Sequence, residues 1–195
     1  EGMATQWAVW WRHKARFDVT RQTPHLSFGG KSMVPADQRR PPYWRNDWRG
    51  RRTLLSVYHI SPDTVADIVD HVNGSKYHFF TGAAAGIYLL SRTMDEGGLK
   101  FTSAPKLVVT GADVLLPEHQ RSFERVFGAR VTEQYGMAEF AGNMSRCELG
   151  KLHVDSEVCY VEEVPVSGTP HSRLLLTGWG NQAMPFFRYD IGDLA

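Results

Sequence analysis

The stretch from Lys106 to Glu139, KLVVTGADVLLPEHQRSFERVFGARVTEQYGMAE, alternates between two kinds of periodicity. A short β-branched run ends in Gly111. It is followed by a segment in which Phe123, Val126 and Phe127 fall on one helical face, and by the alternating run Ala129–Gly136. This order predicts a strand, a helix and a second strand. Two strands joined through a helix pair in parallel with a right-handed crossover, so the stretch predicts one unit of a parallel α/β sheet.

The same alternation extends toward the N-terminus. RTLLSVYHI and KYHFFTG are strand candidates, and SPDTVADIVDHVNG and AAAGIYLLSRTMDEGG are helix candidates. In the first helix we expect Ser61 as the cap, Pro62 in the first turn and Gly74 at the end. The predicted fold class is therefore α/β, a parallel sheet flanked by helices. Beyond Gly142 the runs EVCYVEEVPV and SRLLLTGW, separated by a turn, predict an antiparallel β-rich segment.

These patterns divide one partial domain into three parts: residues 1–52, 53–142 and 143–195. The first part opens with a helix in which Trp7, Trp10, Trp11 and Lys14 follow helical spacing. It closes with DQRRPPYWRNDWRGRR, residues 37–52, whose paired prolines are incompatible with a regular helix. We predict a loop there.

Composition excludes few classes of function. The net charge of +1 gives no global field that would select a polyanion. Two cysteines in 195 residues suit a reducing compartment, with one disulfide as the alternative. No apolar run approaches the roughly 20 residues that cross a bilayer. We therefore expect a cytoplasmic protein without a membrane partner.

The predicted strand ends carry residues suited to a nucleotide. Ligands of parallel sheets bind beyond the carboxyl ends of the strands. Glycine there allows a flat ligand to approach the backbone, and the ring of Tyr135 offers a surface for stacking. Glu139 could hold a divalent cation through its oxygens, and Asp193 could accept hydrogen bonds from both hydroxyls of a ribose. The alternative is a strand-end turn with a core tyrosine and solvated acids.

The order of these motifs resembles the adenylate-forming superfamily, and within it the branch of phenylacetate–CoA ligases, coenzyme F390 synthetases and capsular polysaccharide biosynthesis proteins. VVTGADVLLPEHQRSFERVFGARVTEQYGMAE and the later NQAMPFFRYDIGDLA carry the likeness, which covers roughly Ser103 to Ala195. The chain looks like part of the large N-terminal domain of such an enzyme.

The resemblance implies a nucleotide site at Gly111, Ala112, Asp113, Gln134, Tyr135, Gly136 and Asp193. Tyr135 would lie against the base, Asp193 would hold the ribose, and Glu139 would bind Mg²⁺ on the phosphates. The implied reaction is attack of a small carboxylic acid on the α-phosphate of ATP. It gives an acyl-adenylate, and coenzyme A then takes the acyl group. The sequence names neither the acid nor the oligomeric state.

Several positions depart from the family pattern. Asp113 stands where the family has Glu, and Ala138 replaces the Thr or Ser before Glu139. The phosphate loop and the C-terminal lid domain with its catalytic lysine do not occur in this sequence. We therefore expect a fragment of a longer protein and no turnover by these 195 residues alone. A degraded paralogue is the alternative.

Two further patterns keep other functions open. Cys147 and His153 lie in CELGKLH, a pair of zinc-ligand types, for which local packing is the other interpretation. The Arg/Trp-rich segment 37–52 could bind single-stranded nucleic acid, a CoA phosphate or an acidic partner, or its aromatics could dock on the domain. The net charge of +1 argues against nucleic acid. Alternative functions are a capsular-biosynthesis homologue with another acceptor and a non-catalytic nucleotide- or nucleic-acid-binding module.

Overall fold

The structure is a computed structural model that describes residues 2–30 and 33–195. Within those residues the helices are α1 Gly2–Ala15, α2 Val65–Ser75, α3 Ala84–Glu96 and α4 Pro117–Phe127, with a short 3₁₀ turn at Val57–His59. The strands are β1 His25–Gly29, β2 Trp44–Asn46, β3 Arg52–Ser56, β4 Phe79–Gly82, β5 Leu107–Thr110, β6 Arg130–Gly136, β7 Asn143–Arg146, β8 Leu152–Val154, β9 Cys159–Pro165, β10 Ser172–Gly178 and β11 Phe186–Leu194. None of the described helices is both long and apolar enough to cross a membrane.

The chain divides into two compact units. The parallel-sheet unit is continuous and runs from Thr20 to Glu133. The two-segment unit combines the N-terminal segment through Val19 with Gln134–Ala195. The strand β6 begins in the first unit and ends in the second, so the residues at its carboxyl end belong to the two-segment unit.

The parallel-sheet unit confirms the predicted fold class. Its strand order is β2-β3-β1-β4-β5-β6, and β3, β1, β4, β5 and β6 are all parallel. The strand β1 was not predicted, although it pairs with both β3 and β4 in the middle of the sheet. One apolar core joins the sheet to α2, α3 and α4, through side chains that include Leu26, Ile68, Phe80, Ile87, Val108 and Phe123.

The predicted ends of α2 are wrong by a few residues. Its apolar stripe is buried as expected, but Ser61 and Pro62 form a turn before the helix, which begins at Val65 after Thr64. Val65 N donates to Ser61 O at 2.9 Å, so the turn already has a helical hydrogen bond. The helix passes through Gly74, and Lys76 follows it in the left-handed conformation with φ 52°.

The segment 37–52 is not wholly a loop. It contains β2, which pairs with β3 in antiparallel register and forms the edge of the sheet. Tyr43 is buried, and the Trp44 ring stacks on His71 with 3.9 Å between centroids. These two aromatics dock on the domain, whereas Trp48 at the end of the β2–β3 hairpin is 87% exposed.

The two-segment unit has the predicted antiparallel character. The strands β9, β10 and β11 form one antiparallel sheet, and β7 pairs in antiparallel register with β6 and β8. The predicted N-terminal helix is present as α1, but Trp7, Trp10 and Trp11 do not form its buried face. That face consists of Gln6, Val9, His13 and Lys14, while Trp7 is 47% exposed.

Candidate functional site

In the parallel-sheet unit, the turn after β5 is tied to the start of α3. The Asp113 carboxylate accepts hydrogen bonds from the backbone N–H groups of Ala84 and Ala85, the latter at 2.9 Å. Gly111 N donates to Gly82 O at 3.1 Å. Asp113 therefore satisfies two of the unpaired donors at the N-terminus of α3, where its negative charge also complements the helix dipole.

Two backbone conformations are unusual here, one in this turn and one at the end of the neighbouring strand β4. Ala112 has φ 70°, a left-handed conformation that is disfavoured for residues with a Cβ. Gly82 has φ 153°, and a Cβ at this position would lie 2.8 Å from atoms of Phe28. The absence of a side chain at Gly82 lets β4 pass closely against β1 at the carboxyl edge of the sheet.

In the two-segment unit, the structure brings together two predicted residues that lie far apart in the chain. The Tyr135 hydroxyl donates to Asp193 Oδ2 at 2.6 Å. Tyr135 is positioned by the pairing of β6 with β7, where it lies opposite Met144, and Asp193 lies near the end of β11. The two side chains of the pair therefore come from different strands of the two-segment unit, β6 and β11.

The electrostatics of this pair keep the phenol protonated. Burial raises the pKa of Tyr135, and the hydrogen bond to Asp193 and the charge of that carboxylate raise the pKa further. Tyr135 therefore remains a donor at neutral pH. A carboxylate has more than one acceptor site, so Asp193 can accept from Tyr135 and still accept hydrogen bonds from ligand hydroxyls.

The side chain of Gln134 is held by α1, a contact that the sequence did not predict. Lys14 Nζ donates to Gln134 Oε1 at 3.2 Å, and burial lowers the pKa of Lys14 to about 8. His13 lies beside Lys14, and its Nε2 is 3.0 Å from Arg146 O. Helical spacing placed Lys14 on α1 but gave no signal that this polar face would be the buried one.

A second buried polar cluster supports the β6–β7 turn. Asp155 accepts hydrogen bonds from Asn143 Nδ2 and Arg12 Nη2, and from Ser145 Oγ at 2.8 Å. Asn143 Oδ1 in turn accepts from Trp10 Nε1 at 2.9 Å. Asn143 on β7 pairs with Gly136 on β6. The cluster therefore stabilises β7, which is the strand that pairs with β6 at Tyr135.

The predicted metal ligands lie in two separate places, both in the two-segment unit. Glu139 is exposed in the turn between β6 and β7, and His153 lies on β8 beyond the turn that Cys147 begins. Within the described residues, no three or more His, Cys, Asp or Glu side chains are grouped so that they could hold a metal ion. A zinc site at Cys147 and His153 stays a prediction with two ligands.

Two charged residues of β11 contact partners on different strands of its sheet: Arg188 contacts Glu162 on β9, and Asp190 contacts Arg173 on the adjacent strand β10. Arg188 Nε lies 3.1 Å from Glu162, and Asp190 lies 3.0 Å from Arg173. Residues two positions apart share a face of a regular strand, but the register of β10 with β11 shifts on both sides of the Leu175–Leu176 pairings, and Arg188 itself has a left-handed φ of 47°.

A charged groove of about 430 Å³ lies between α3 and α4 in the parallel-sheet unit. Its lining has three basic and three acidic side chains, and four of these six form ion pairs: Arg92 with Glu96 at 2.7 Å, and Arg125 with Asp95 at 2.6 Å. Because these charges are already matched, the groove does not favour a ligand over solvent, and we assign none to it.

Comparison with known proteins gives one curated relative and many structural ones. No family model matches the chain. Protein CapK of Staphylococcus aureus is 22% identical over 180 residues, and the chain spans 40% of its length. A 2-hydroxyisobutyryl-CoA ligase in the postadenylation state matches 94% of the chain with a TM-score of 0.67 and 16% identity, and the chain covers 41% of it.

A malonyl-CoA ligase with methylmalonyl-CoA and AMP bound matches 97% of the chain with a TM-score of 0.53 and 17% identity. The chain covers 40% of that enzyme. At these identities the likeness concerns the fold. The resemblance predicted from the sequence motifs is thus confirmed at that level: the chain has the fold of the N-terminal domain of the adenylate-forming enzymes.

Proposed function

We propose that this chain is the nucleotide-binding part of an enzyme that activates a carboxylic acid with ATP and transfers the acyl group to CoA. The observation that carries the proposal is the hydrogen bond of 2.6 Å between Tyr135 and Asp193. These two residues, 58 positions apart, are the ones to which the motif resemblance gives the base and the ribose. Solved CoA ligases with the same fold, in complex with acyl-AMP or AMP, support the reaction class.

Each residue would have a defined part in holding the nucleotide. The Tyr135 ring would lie against the adenine while its hydroxyl orients Asp193, whose carboxylate would accept hydrogen bonds from the ribose. The strand end Gln134–Gly136 would contribute backbone to an adenine wall, and the roles that the motif resemblance gives to Gly111, Ala112 and Asp113 stay predictions. Catalysis by such a site consists of positioning the acid in line with the α-phosphate and of neutralising charge.

Glu139 fits a magnesium role in its chemistry. Mg²⁺ in phosphate sites is commonly held by one or two carboxylates together with the phosphates themselves, and Glu139 presents an exposed carboxylate on a short turn. When bound, the ion would neutralise the phosphates during adenylation.

A second candidate differs in the acceptor. The similarity to CapK favours a homologue of the capsular polysaccharide biosynthesis type, in which a group other than CoA takes the acyl group. The nucleotide site would be the same in both cases. The two are separated with the full-length protein, by asking whether CoA accelerates the release of AMP after pyrophosphate has formed.

Calorimetric titration with AMP tests the site in this chain. Asp193→Ala should weaken AMP binding by about tenfold or more, because a hydrogen bond to a charged group is lost. The matched control is Asp190→Ala on the same strand, which removes a carboxylate paired with Arg173 and should change the affinity by less than about threefold. With ATP, Mg²⁺ should strengthen binding, and Glu139→Gln should remove that gain.

Two outcomes would contradict the proposal. A chain with the circular dichroism of a folded α/β protein that binds neither AMP nor ATP would remove the support for this site. Equal losses in Asp193→Ala and Asp190→Ala would show that strand β11 matters for stability and that Asp193 has no special role with the ribose.

A further inference from the structure

The end of the parallel sheet at which its strands begin is strongly basic. The strands β1, β3, β4, β5 and β6 are parallel, and residues His25, Arg52, Phe79 and Leu107 lie in register at their starts. We call six exposed side chains at this end of the strands the amino edge: Trp48, Arg49, Arg51, Arg52, Lys76 and Lys106. It lies at the end of the sheet opposite the turns at Gly82 and Gly111.

Backbone hydrogen bonds fix the amino edge as a continuous row. His25 N donates to Arg51 O at 2.9 Å, and His78 N donates to Pro24 O at 2.9 Å. Lys106 N then donates to His78 O at 2.9 Å. The β2–β3 hairpin, the start of β1, the segment before β4 and the start of β5 therefore follow one another across the same end of the sheet.

The cations of the amino edge are not neutralised by neighbours. Within the described residues, no ion pair joins Arg49, Arg51, Arg52, Lys76 or Lys106 to a carboxylate. Asp47, the one acid of the hairpin, is engaged by its own turn: its Oδ1 accepts from Arg51 N at 2.9 Å. Burial raises the pKa of Asp47, but several hydrogen bonds from the turn backbone together outweigh it and lower that pKa.

The hairpin also presents an aromatic ring to solvent in a fixed turn. Gly50 N donates to Asp47 O at 3.0 Å, Asp47 N donates to Arg52 O at 2.8 Å, and Gly50 supplies the left-handed φ of 64°. Trp48 lies at the tip and is 87% exposed, with the Arg49 guanidinium 4.4 Å from its ring centroid. An exposed indole flanked by cations is the composition of a membrane-interface anchor.

We propose that the amino edge docks on the surface of an anionic lipid bilayer. The Trp48 ring would enter the headgroup region, and the surrounding Arg and Lys side chains would contact lipid phosphates and carboxylates. Single-stranded nucleic acid fits the same cations less well, because it needs successive stacking rings. In this segment Tyr43 is buried and Trp44 is stacked on His71, so Trp48 alone remains available.

This orientation leaves the carboxyl ends of the strands of the parallel-sheet unit facing away from the membrane and open to small molecules. The proposal departs from the sequence-based expectation that no membrane partner exists. That expectation rested on the lack of a spanning segment, and docking at the interface does not require one.

Vesicle sedimentation tests the proposal with the 195-residue chain. Vesicles of phosphatidylcholine with about one quarter phosphatidylserine are compared with pure phosphatidylcholine vesicles. The chain should sediment with the anionic vesicles, and salt should weaken the binding. Arg49→Gln with Arg51→Gln should lower the partition coefficient about 30-fold, from roughly fivefold per arginine. Trp48→Ala should lower it at least about fivefold.

A matched control is available on the same segment. Arg39 and Arg40 are exposed and precede β2, whose first residue Trp44 lies opposite Leu55 near the other end of β3. Arg39→Gln with Arg40→Gln removes the same charge and should lower partition by less than about threefold. Unchanged circular dichroism and melting temperature in every variant would show that folding is intact.

Several results would overturn the proposal. These are the absence of sedimentation with anionic vesicles, equal binding to pure phosphatidylcholine, and equal losses in the two double-arginine variants. Binding of a single-stranded oligonucleotide that depends on Trp48, in a chain that does not sediment with vesicles, would assign the amino edge to nucleic acid. Binding of CoA at the amino edge without vesicle binding would assign it to a soluble phosphate ligand.

Discussion

The two units of the molecule bury polar groups in different ways. Among the described residues, the buried polar side chains of the parallel-sheet unit are hydroxyl groups and two histidines, around a core of Leu, Ile, Val and Phe. The two-segment unit also buries Gln6, Lys14, Asn143 and Asp155. The first unit therefore depends mainly on apolar area, whereas the second depends on whether each buried polar group keeps its partner.

This difference has consequences for the candidate site. Removal of a partner from a buried charged group costs more than the interaction itself contributes, because the remaining group stays desolvated. The buried polar groups of the two-segment unit lie on α1, on β7 and at Asp155. Of these elements, α1 holds Gln134 through Lys14, and β7 pairs with β6 at Tyr135. The geometry of this part of the candidate site is thus expected to be sensitive to single polar substitutions and to pH.

Asp155→Ala should have the largest effect. It leaves Asn143, Ser145 and Arg12 without a shared acceptor and should lower the free energy of unfolding by about 3 kcal/mol. Urea denaturation followed by far-UV circular dichroism measures the loss. Hydrogen exchange should locate it in the two-segment unit.

The matched control is Glu157→Ala. Glu157 is the other carboxylate that contacts Arg12, but its side chain is 46% exposed, so its loss should cost at most about 1 kcal/mol. If both variants lose the same amount, the Arg12 ion pairs dominate and the buried cluster at Asp155 has no separate importance. The comparison between the units would then lose its main support.

The second effect is a pH dependence confined to the two-segment unit. Burial, aided by the nearby charges of Lys14 and Arg16, lowers the pKa of His13 from 6.5 to about 4. Between these values the unfolded chain binds the proton and the folded chain does not, so stability falls as the pH falls from 6.5 toward 4. Denaturation at several pH values should show a loss of about 2 kcal/mol over this window.

Substitution separates His13 from the other groups that titrate at acid pH. His13→Gln should remove most of this slope, while His171→Gln, at an exposed position, should leave it unchanged. Lys14 does not contribute in the same window, because its lowered pKa of about 8 keeps it protonated throughout. A slope that is the same in both variants would show that carboxylates produce it.

Sequence patterns predicted the parallel-sheet unit better than the two-segment unit, for a physical reason. Strands β3 to β6 alternate with helices over about 80 residues, so each periodic run packs on neighbours close in sequence. The strand β1 was missed because HLSFG is a short run without a helical run beside it in the sequence, and its partner β3 begins only at Arg52. The hydrogen bond between Trp10 and Asn143 spans 133 positions, and no local pattern could indicate it.

The same distinction applies to the candidate site. Tyr135 and Asp193 were identified through motifs, and their hydrogen bond is a new finding. The contact of Lys14 with Gln134 could not be predicted, because the helical spacing that groups Lys14 with the tryptophans of α1 does not show which distant segment the helix packs against. Burial of that side follows from the packing of two distant chain segments, which periodicity does not report.

Asp113 gives the smallest of these effects and tests the parallel-sheet unit at a polar contact beside the strand ends. Asp113→Ala removes the acceptor for the N–H groups of Ala84 and Ala85 and should cost about 1 kcal/mol, as for loss of a helix cap. Amide exchange should quicken in the first turn of α3 and leave α1 unchanged. Glu118→Ala, in the exposed first turn of α4, is the control and should cost less than about 0.5 kcal/mol.

Asp113→Glu tests the length of the capping side chain, because it introduces the residue typical of the family that the motifs resemble. If Glu caps α3 as well as Asp does, the shorter side chain has no structural advantage. If Glu loses most of the cap, the departure from the family pattern is explained by the close approach of this turn to α3.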